Sequence, residues 1–236
     1  MNKGFSLLEL TIVLIILSIV FSNVLSLKNK YINKEKYQQT LKKLDLIEKA
    51  IESYAASHNR LPCPAIGELK ASEKKFGLES TNLEDGNFKC RDLILFKQIS
   101  HGTVPVRTLQ LDDDFMFDGW NRRIGYSIDS NFSNPEYYLS SHNGSIKIVG
   151  GNNQVKTNHA MMVLVSHGKN GYCAWPHYGE TQIYNSSTND DKRVNCSNYQ
   201  TGNHIFIQKP FSKQNPSDEL SYFDDIVRYK MRWQFN

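Results

Sequence analysis

The chain has 236 residues, 39% of them hydrophobic and 22% charged, with a formal net charge of +4. A basic excess this mild, spread along the chain and not gathered into an aromatic-flanked patch, does not indicate nucleic-acid binding. Its four cysteines form no Cys-x-x-Cys pair and no histidine stands at finger spacing, which argues against a zinc site.

The first element runs from Phe5 to Leu27, where Glu9 is the only ionisable side chain. As a helix, about 23 residues reach roughly 34 Å, enough to cross a hydrocarbon core of about 30 Å. A lone carboxylate in such a span costs on the order of 3 kcal/mol or more, so Glu9 calls for a partner. A cut after Gly4 would create one, since the new ammonium group on Phe5 of one subunit could neutralise Glu9 of its neighbour. Other readings fit less well. A cleaved signal peptide needs a small-residue site after the apolar region, and Ser22-Asn23-Val24-Leu25-Ser26 is a poor one. A simple signal anchor leaves Glu9 unexplained, and a soluble core helix would be neither so long nor so apolar.

The stretch Lys3-Gly4-Phe5-Ser6-Leu7-Leu8-Glu9 resembles the cleavage and methylation motif of type IV prepilins and type II secretion pseudopilins. The resemblance implies a leader at 1–4, removed after Gly4 by a prepilin peptidase that also N-methylates Phe5. It implies a transmembrane segment at 5–27, an amphipathic continuation of the same helix at 28–58, and an exported globular domain with insertions at 59–236. Its implied partners are other pilin or pseudopilin subunits, an inner-membrane assembly platform and membrane lipid, with no cofactor. The implied location is the bacterial inner membrane, single-pass, with the N-terminus cytoplasmic and the domain periplasmic or extracellular. Lys28, Lys30, Lys34 and Lys36 follow the span, and the positive-inside rule alone would hold that flank in the cytoplasm. Export of the domain therefore rests on the resemblance and on the cysteines.

Beyond the span, Tyr37, Leu41, Leu44, Ile47, Ile51 and Tyr54 recur at steps of three and four, while Lys42, Lys43, Glu48, Lys49 and Glu52 occupy other faces. No proline or glycine interrupts 5–60, so one long helix is expected. Pro62 and Pro64 close it. Residues 66–90 read as an irregular insertion, with a short helix near 68–74. The blocks Arg60-Leu61-Pro62-Cys63-Pro64, Gly102-Thr103-Val104-Pro105 and Asp118-Gly119-Trp120 with Tyr126 resemble a subgroup of prepilin-type proteins related to the pseudopilins. In the turn before that strand Asn121 stands where glycine is usual, and Asn tolerates positive φ. Asp118 is expected to cap the turn and Trp120 to anchor it to the helix. Residues 124–128 alternate as a strand, and strands are also expected from 135 onward at 145–149, 160–166, 204–207 and 222–233. Residues 172–202 read as a long polar surface loop. The expected fold is α+β, a long N-terminal helix packed on an antiparallel β-sheet domain of type IV pilin-like form.

In an exported domain an even cysteine count favours disulfides. Of three connectivities, Cys63 with Cys90 and Cys173 with Cys196 is preferred because each pair brackets a loop-rich polar stretch. Asp112, Asp114 and Asp118 are weak calcium candidates, lacking the mid-loop glycine and closing glutamate of a ligand loop. Ser166 and His167 are adjacent on a strand and so face opposite ways, and no nucleophile elbow or phosphate-cradling loop occurs. The expectation is a non-enzymatic, minor structural subunit of a type IV pilus or type II secretion pseudopilus. The alternative is a membrane-anchored exported binding module that does not polymerise.

Overall fold

The structure is a computed structural model that describes residues 7–82, 89–90, 99–140, 142–184, 190–201, 204–212 and 222–235, leaving aside the side chains of 22, 23, 25, 26, 82, 89, 190 and 197–201. One helix, α1 (Leu7–His58), runs for 52 residues. The absence of proline and glycine allows this length, and two hydroxyls of its apolar half are absorbed internally. Thr11 Oγ1 donates to Leu8 O and Ser18 Oγ to Ile15 O, each at 2.8 Å. The helix stops before Pro62 is reached, because Asn59 adopts a left-handed conformation with φ 53°.

Residues 44, 47, 51 and 54 of α1 enter the core as their spacing requires, with Leu44, Ile47 and Ile51 wholly buried. Two side chains expected on outer faces, Lys43 and Glu48, are buried as well, each 8% exposed. The covered stripe is wider than the apolar one, because the domain folds over α1 on both sides of that stripe and supplies polar partners there.

The remaining elements are β1 (Thr81–Asn82), β2 (Lys89–Cys90), β3 (Ile99–Thr103), β4 (Gly125–Asp129), α2 (Pro135–Leu139), β5 (Ile146–Val149), β6 (Val155–Ser166), α3 (Asp190–Thr201), β7 (Ile205–Ile207) and β8 (Ile226–Met231). The main sheet has the order β3-β4-β6-β5-β7, with β8 also paired to β6. Residues 162–165 of β6 pair with both β4 and β8, which makes the near-continuous apolar run the central strand. Met162 and Leu164 join the α1 core, while Val163 and Val165 pack with Ile99, Ile148 and Phe206.

The sheet is mixed and not purely antiparallel, since β5 and β7 run parallel with Ile148 opposite Phe206. The chain leaves β5, returns along β6 and passes through α3 before β7, a crossover long enough to bring two strands in from the same end. The helix α3 lies inside the segment expected as a surface loop. Its sequence lacks an apolar stripe, and besides the Cys196 disulfide and Val194 against Ile207 and Phe223 its hold on the domain is polar, through Lys192 and Asn195, both fully buried. Residues 135–139 form a short helix, with Pro135 in its first turn and Asn134 Oδ1 accepting from the N–H groups of Glu136 and Tyr137 at 2.8 and 3.1 Å. The short helix expected near 68–74 is a series of turns.

Of the expected span at 5–27, residues 5 and 6 and four side chains lie outside the described residues. Among the described residues no helix is long and apolar enough to cross a membrane. The run of consecutively described side chains at that end is 7–21, or 15 residues, fewer than the ~20 that a crossing needs.

Candidate assembly helix and its mooring on the domain

The first described turns of α1 are exposed. The large apolar side chains between Leu7 and Phe21 are 46% to 81% exposed, a continuous apolar surface that calls for a lipid or protein environment. Glu9 is exposed on the first turn of this surface. Gly4 and Phe5, the residues expected to be cut and methylated, lie outside the described residues.

The other half of α1 is moored at three places. The first is the turn after Phe117. Asp118 Oδ1 accepts from the N–H groups of Trp120 and Arg122 at 2.8 and 3.0 Å, and Oδ2 accepts from Ser166 Oγ at 2.6 Å. Burial pushes the Asp118 carboxyl above its ordinary range, opposed by those donors. Asn121 carries the positive φ, 63°, that the sequence assigned to it. The neighbours of Trp120 make the polar contacts between the turn and the helix. Gly119 N donates to Thr40 Oγ1 at 2.9 Å, and Lys43 Nζ donates to the carbonyls of Asp114 and Phe117 at 2.8 Å each. Trp120 packs half-buried against the core. Among the described residues its indole N–H has no acceptor, and with Lys34, Tyr37, Lys169, Tyr222 and Asp224 it lines a cavity of about 340 Å³. Tyr126 is wholly buried, and burial raises its hydroxyl well above the ordinary range.

The second mooring closes the helix end. Arg60 makes a two-pronged contact with Glu79 at 2.8 Å on each arm, and Glu79 also accepts from the Cys63 N–H and the Tyr54 hydroxyl at 3.0 Å each. Burial opposes ionisation of Glu79, but Arg60 and the Cys63 N–H outweigh it and hold the carboxyl below its ordinary value. Pro62 lies in the buried segment beside this pair. Cys63 is bonded to Cys90 with Cα atoms 5.2 Å apart, so the clasp is covalently fixed to the β1–β2 ribbon; Cys173 is bonded to Cys196 at 5.4 Å. Both pairings are the preferred ones. At the third mooring Arg228 Nε donates to Glu48 at 2.9 Å and Lys230 Nζ to Glu52 at 2.7 Å.

The aspartates considered for calcium are drawn apart. Asp114 pairs with Lys43 and Asp118 is committed to its turn, while the neighbouring Asp113 pairs with Arg107. Among the described residues no group of three or more metal-binding side chains converges. Ser166 turns to Asp118, and His167 lies 3.6 Å from Asp225. The mooring residues Lys43 and Glu79 escaped the sequence reading. For Lys43 a signal existed, since Lys36, Thr40, Lys43 and Ile47 recur at helical spacing and define one face.

A long N-terminal helix followed by a curled mixed sheet is an α+β arrangement consistent with the type IV pilin-like fold. Residues 1–22 match the family model of the prokaryotic N-terminal methylation motif, which supports a place among the type IV prepilin-like and pseudopilin proteins. The motif implies processing by a peptidase, a membrane-anchored N-terminus and assembly with other pilin subunits. No curated protein and no solved structure matches the chain significantly.

Proposed function

We propose that the protein is a minor, non-catalytic structural subunit, cleaved after Gly4, N-methylated at Phe5 and assembled through α1 into a type IV pilus or type II secretion pseudopilus. The observation that carries this reading is the division of α1: its first half is apolar and exposed, its second half is moored on the domain, and the methylation motif stands at its start. The exposed half first holds the subunit in the inner membrane as a single pass, with the domain outside the cytoplasm, and then packs against neighbouring subunits. Glu9 meets the new ammonium group of the next chain. A minor role is supported by the bulk of the segments around 66–90 and 172–201, which are awkward in a repeating wall. Co-expression with a prepilin peptidase and N-terminal sequencing tests the reading: N-methylated Phe5 is expected, and an intact Met1 overturns it.

The cavity beside Trp120 favours a second reading, an anchored exported binding module that does not polymerise. Glu9→Ala separates the two, because a module that does not polymerise has no neighbouring ammonium group for Glu9 to meet.

A further inference from the structure

Behind the end of the central strand lies a cluster that no part of the assembly reading uses. The side chains of Lys192 on α3 and of Asp225 are 0% exposed. The Lys192 ammonium group contacts Asp224 Oδ1, donates to Asn170 Oδ1 at 2.6 Å and stands 3.5 Å from Asp225 Oδ1, with the Tyr222 ring 5.3 Å away. The other oxygen of Asp224, Oδ2, accepts from the Asn170 N–H at 3.0 Å and from the Tyr222 hydroxyl at 3.1 Å. Asp225 is fixed by Asn195 Nδ2 at 2.9 Å. Around one carboxyl group the fold has thus placed an amine on one oxygen, two donors on the other and a second carboxylate in reach of the amine.

We propose that Lys192 and Asp224 join in an intramolecular amide bond, formed by the folded chain itself. Asp225 takes a proton from the Lys192 ammonium and passes it to Oδ1 of Asp224. The freed amine attacks Cγ, and the negative charge that develops on Oδ2 is held by the Asn170 N–H and the Tyr222 hydroxyl, the arrangement that stabilises tetrahedral intermediates of acyl transfer. The C–N bond forms, the C–Oδ1 bond breaks, and Oδ1 leaves as water with the second proton of the nitrogen. Ammonium plus carboxylate becomes amide plus water, and no oxidant, energy source or cofactor enters. Fixed proximity replaces the encounter of two reactants, and the cavity lined by Tyr222 and Asp224 gives the released water a way out. Burial opposes ionisation of Asp225, but His167, Lys192 and Asn195 hold its carboxyl below the ordinary range, so it stands ionised beside the ammonium group. The bond ties α3 to the start of β8 and, together with Cys173–Cys196, makes the C-terminal part of the domain a covalently closed unit under tension.

The test is the intact mass of the full-length chain, purified in detergent, reduced and denatured. The expected mass is one water below that of the processed sequence, and digestion yields a single branched peptide joining Lys192 to Asp224. A mass equal to the sequence, with the two peptides separate, overturns the proposal. Asp225→Asn is expected to keep the melting transition and lose the branched peptide; full ligation in that variant overturns the role of Asp225. Tyr222→Phe, a milder change, is expected to slow ligation about 100-fold in a refolding time course, and an unchanged rate overturns the assignment of its hydroxyl.

Discussion

Thr40 and Gly119, 79 residues apart in sequence, meet at 2.9 Å, where the threonine hydroxyl accepts the glycine N–H and donates in turn to Lys36 O at 2.8 Å. The contact holds the Asp118 turn directly on the helix backbone. A Cβ on Gly119 would lie 2.2 Å from the Lys36 carbonyl oxygen, and backbone does not yield. Gly119→Ala is therefore expected to destabilise the domain by about 1–3 kcal/mol, read as a lower urea midpoint at unchanged slope. An unchanged midpoint would show that the turn does not rest on the helix.

The Arg60–Glu79 clasp should make stability pH-dependent. Glu79 is held below its ordinary value of 4.5, so the folded state binds fewer protons than the unfolded one. Its contribution is fully present above that value and is lost as pH falls through the depressed folded-state value. Asp118, which is raised, works in the opposite sense, so the comparison that isolates the clasp is wild type against Glu79→Gln. The variant is expected to be less stable at neutral pH, by about 3 kcal/mol for a broken buried pair, and to lose less on acidification. Parallel denaturation curves at neutral and acid pH would refute it.

Reduction should weaken the domain at both disulfides. Cys63–Cys90 spans 27 residues and Cys173–Cys196 spans 23, and closing loops of this size contributes roughly 3.5 kcal/mol each in the chain-entropy model. Replacing either pair by serine is expected to lower stability by an amount of that order. Mass mapping of exported protein should find no free thiol, and four free thiols would show that the bonds do not form.

Glu9→Ala is expected to leave membrane insertion intact, because removing a carboxylate makes the span more apolar. It should abolish co-assembly, read by cross-linking through cysteines introduced along 7–21. Unchanged cross-links to neighbouring subunits would remove the assembly role of Glu9.

The long helix, its apolar first half, its core positions at Leu44, Ile47 and Ile51, the positive φ of Asn121 and both cysteine pairings were legible in the chain order. Each depends on local periodicity, local backbone preference or the polarity of a bracketed loop. Lys43, Glu48 and Lys192 were not legible. A charged side chain in sequence reads as surface, and only the arrival of the Asp114 and Phe117 carbonyls, of Arg228 and Lys230, and of Asp224 and Asp225 makes its burial tolerable. The helical course of α3 was hidden for the same reason, since polar anchors leave no apolar stripe.

By itself the sequence determined the N-terminal instruction, with Gly4 and Phe5 at the cut and Glu9 alone in an apolar run, because composition and spacing along one helix need no partner to be read. Only the tertiary structure decided where that helix is moored, why β7 lies parallel to β5, and that a lysine and two aspartates share one buried cluster. These are contacts between segments far apart in the chain, and their energy exists only once the sheet has closed over α1.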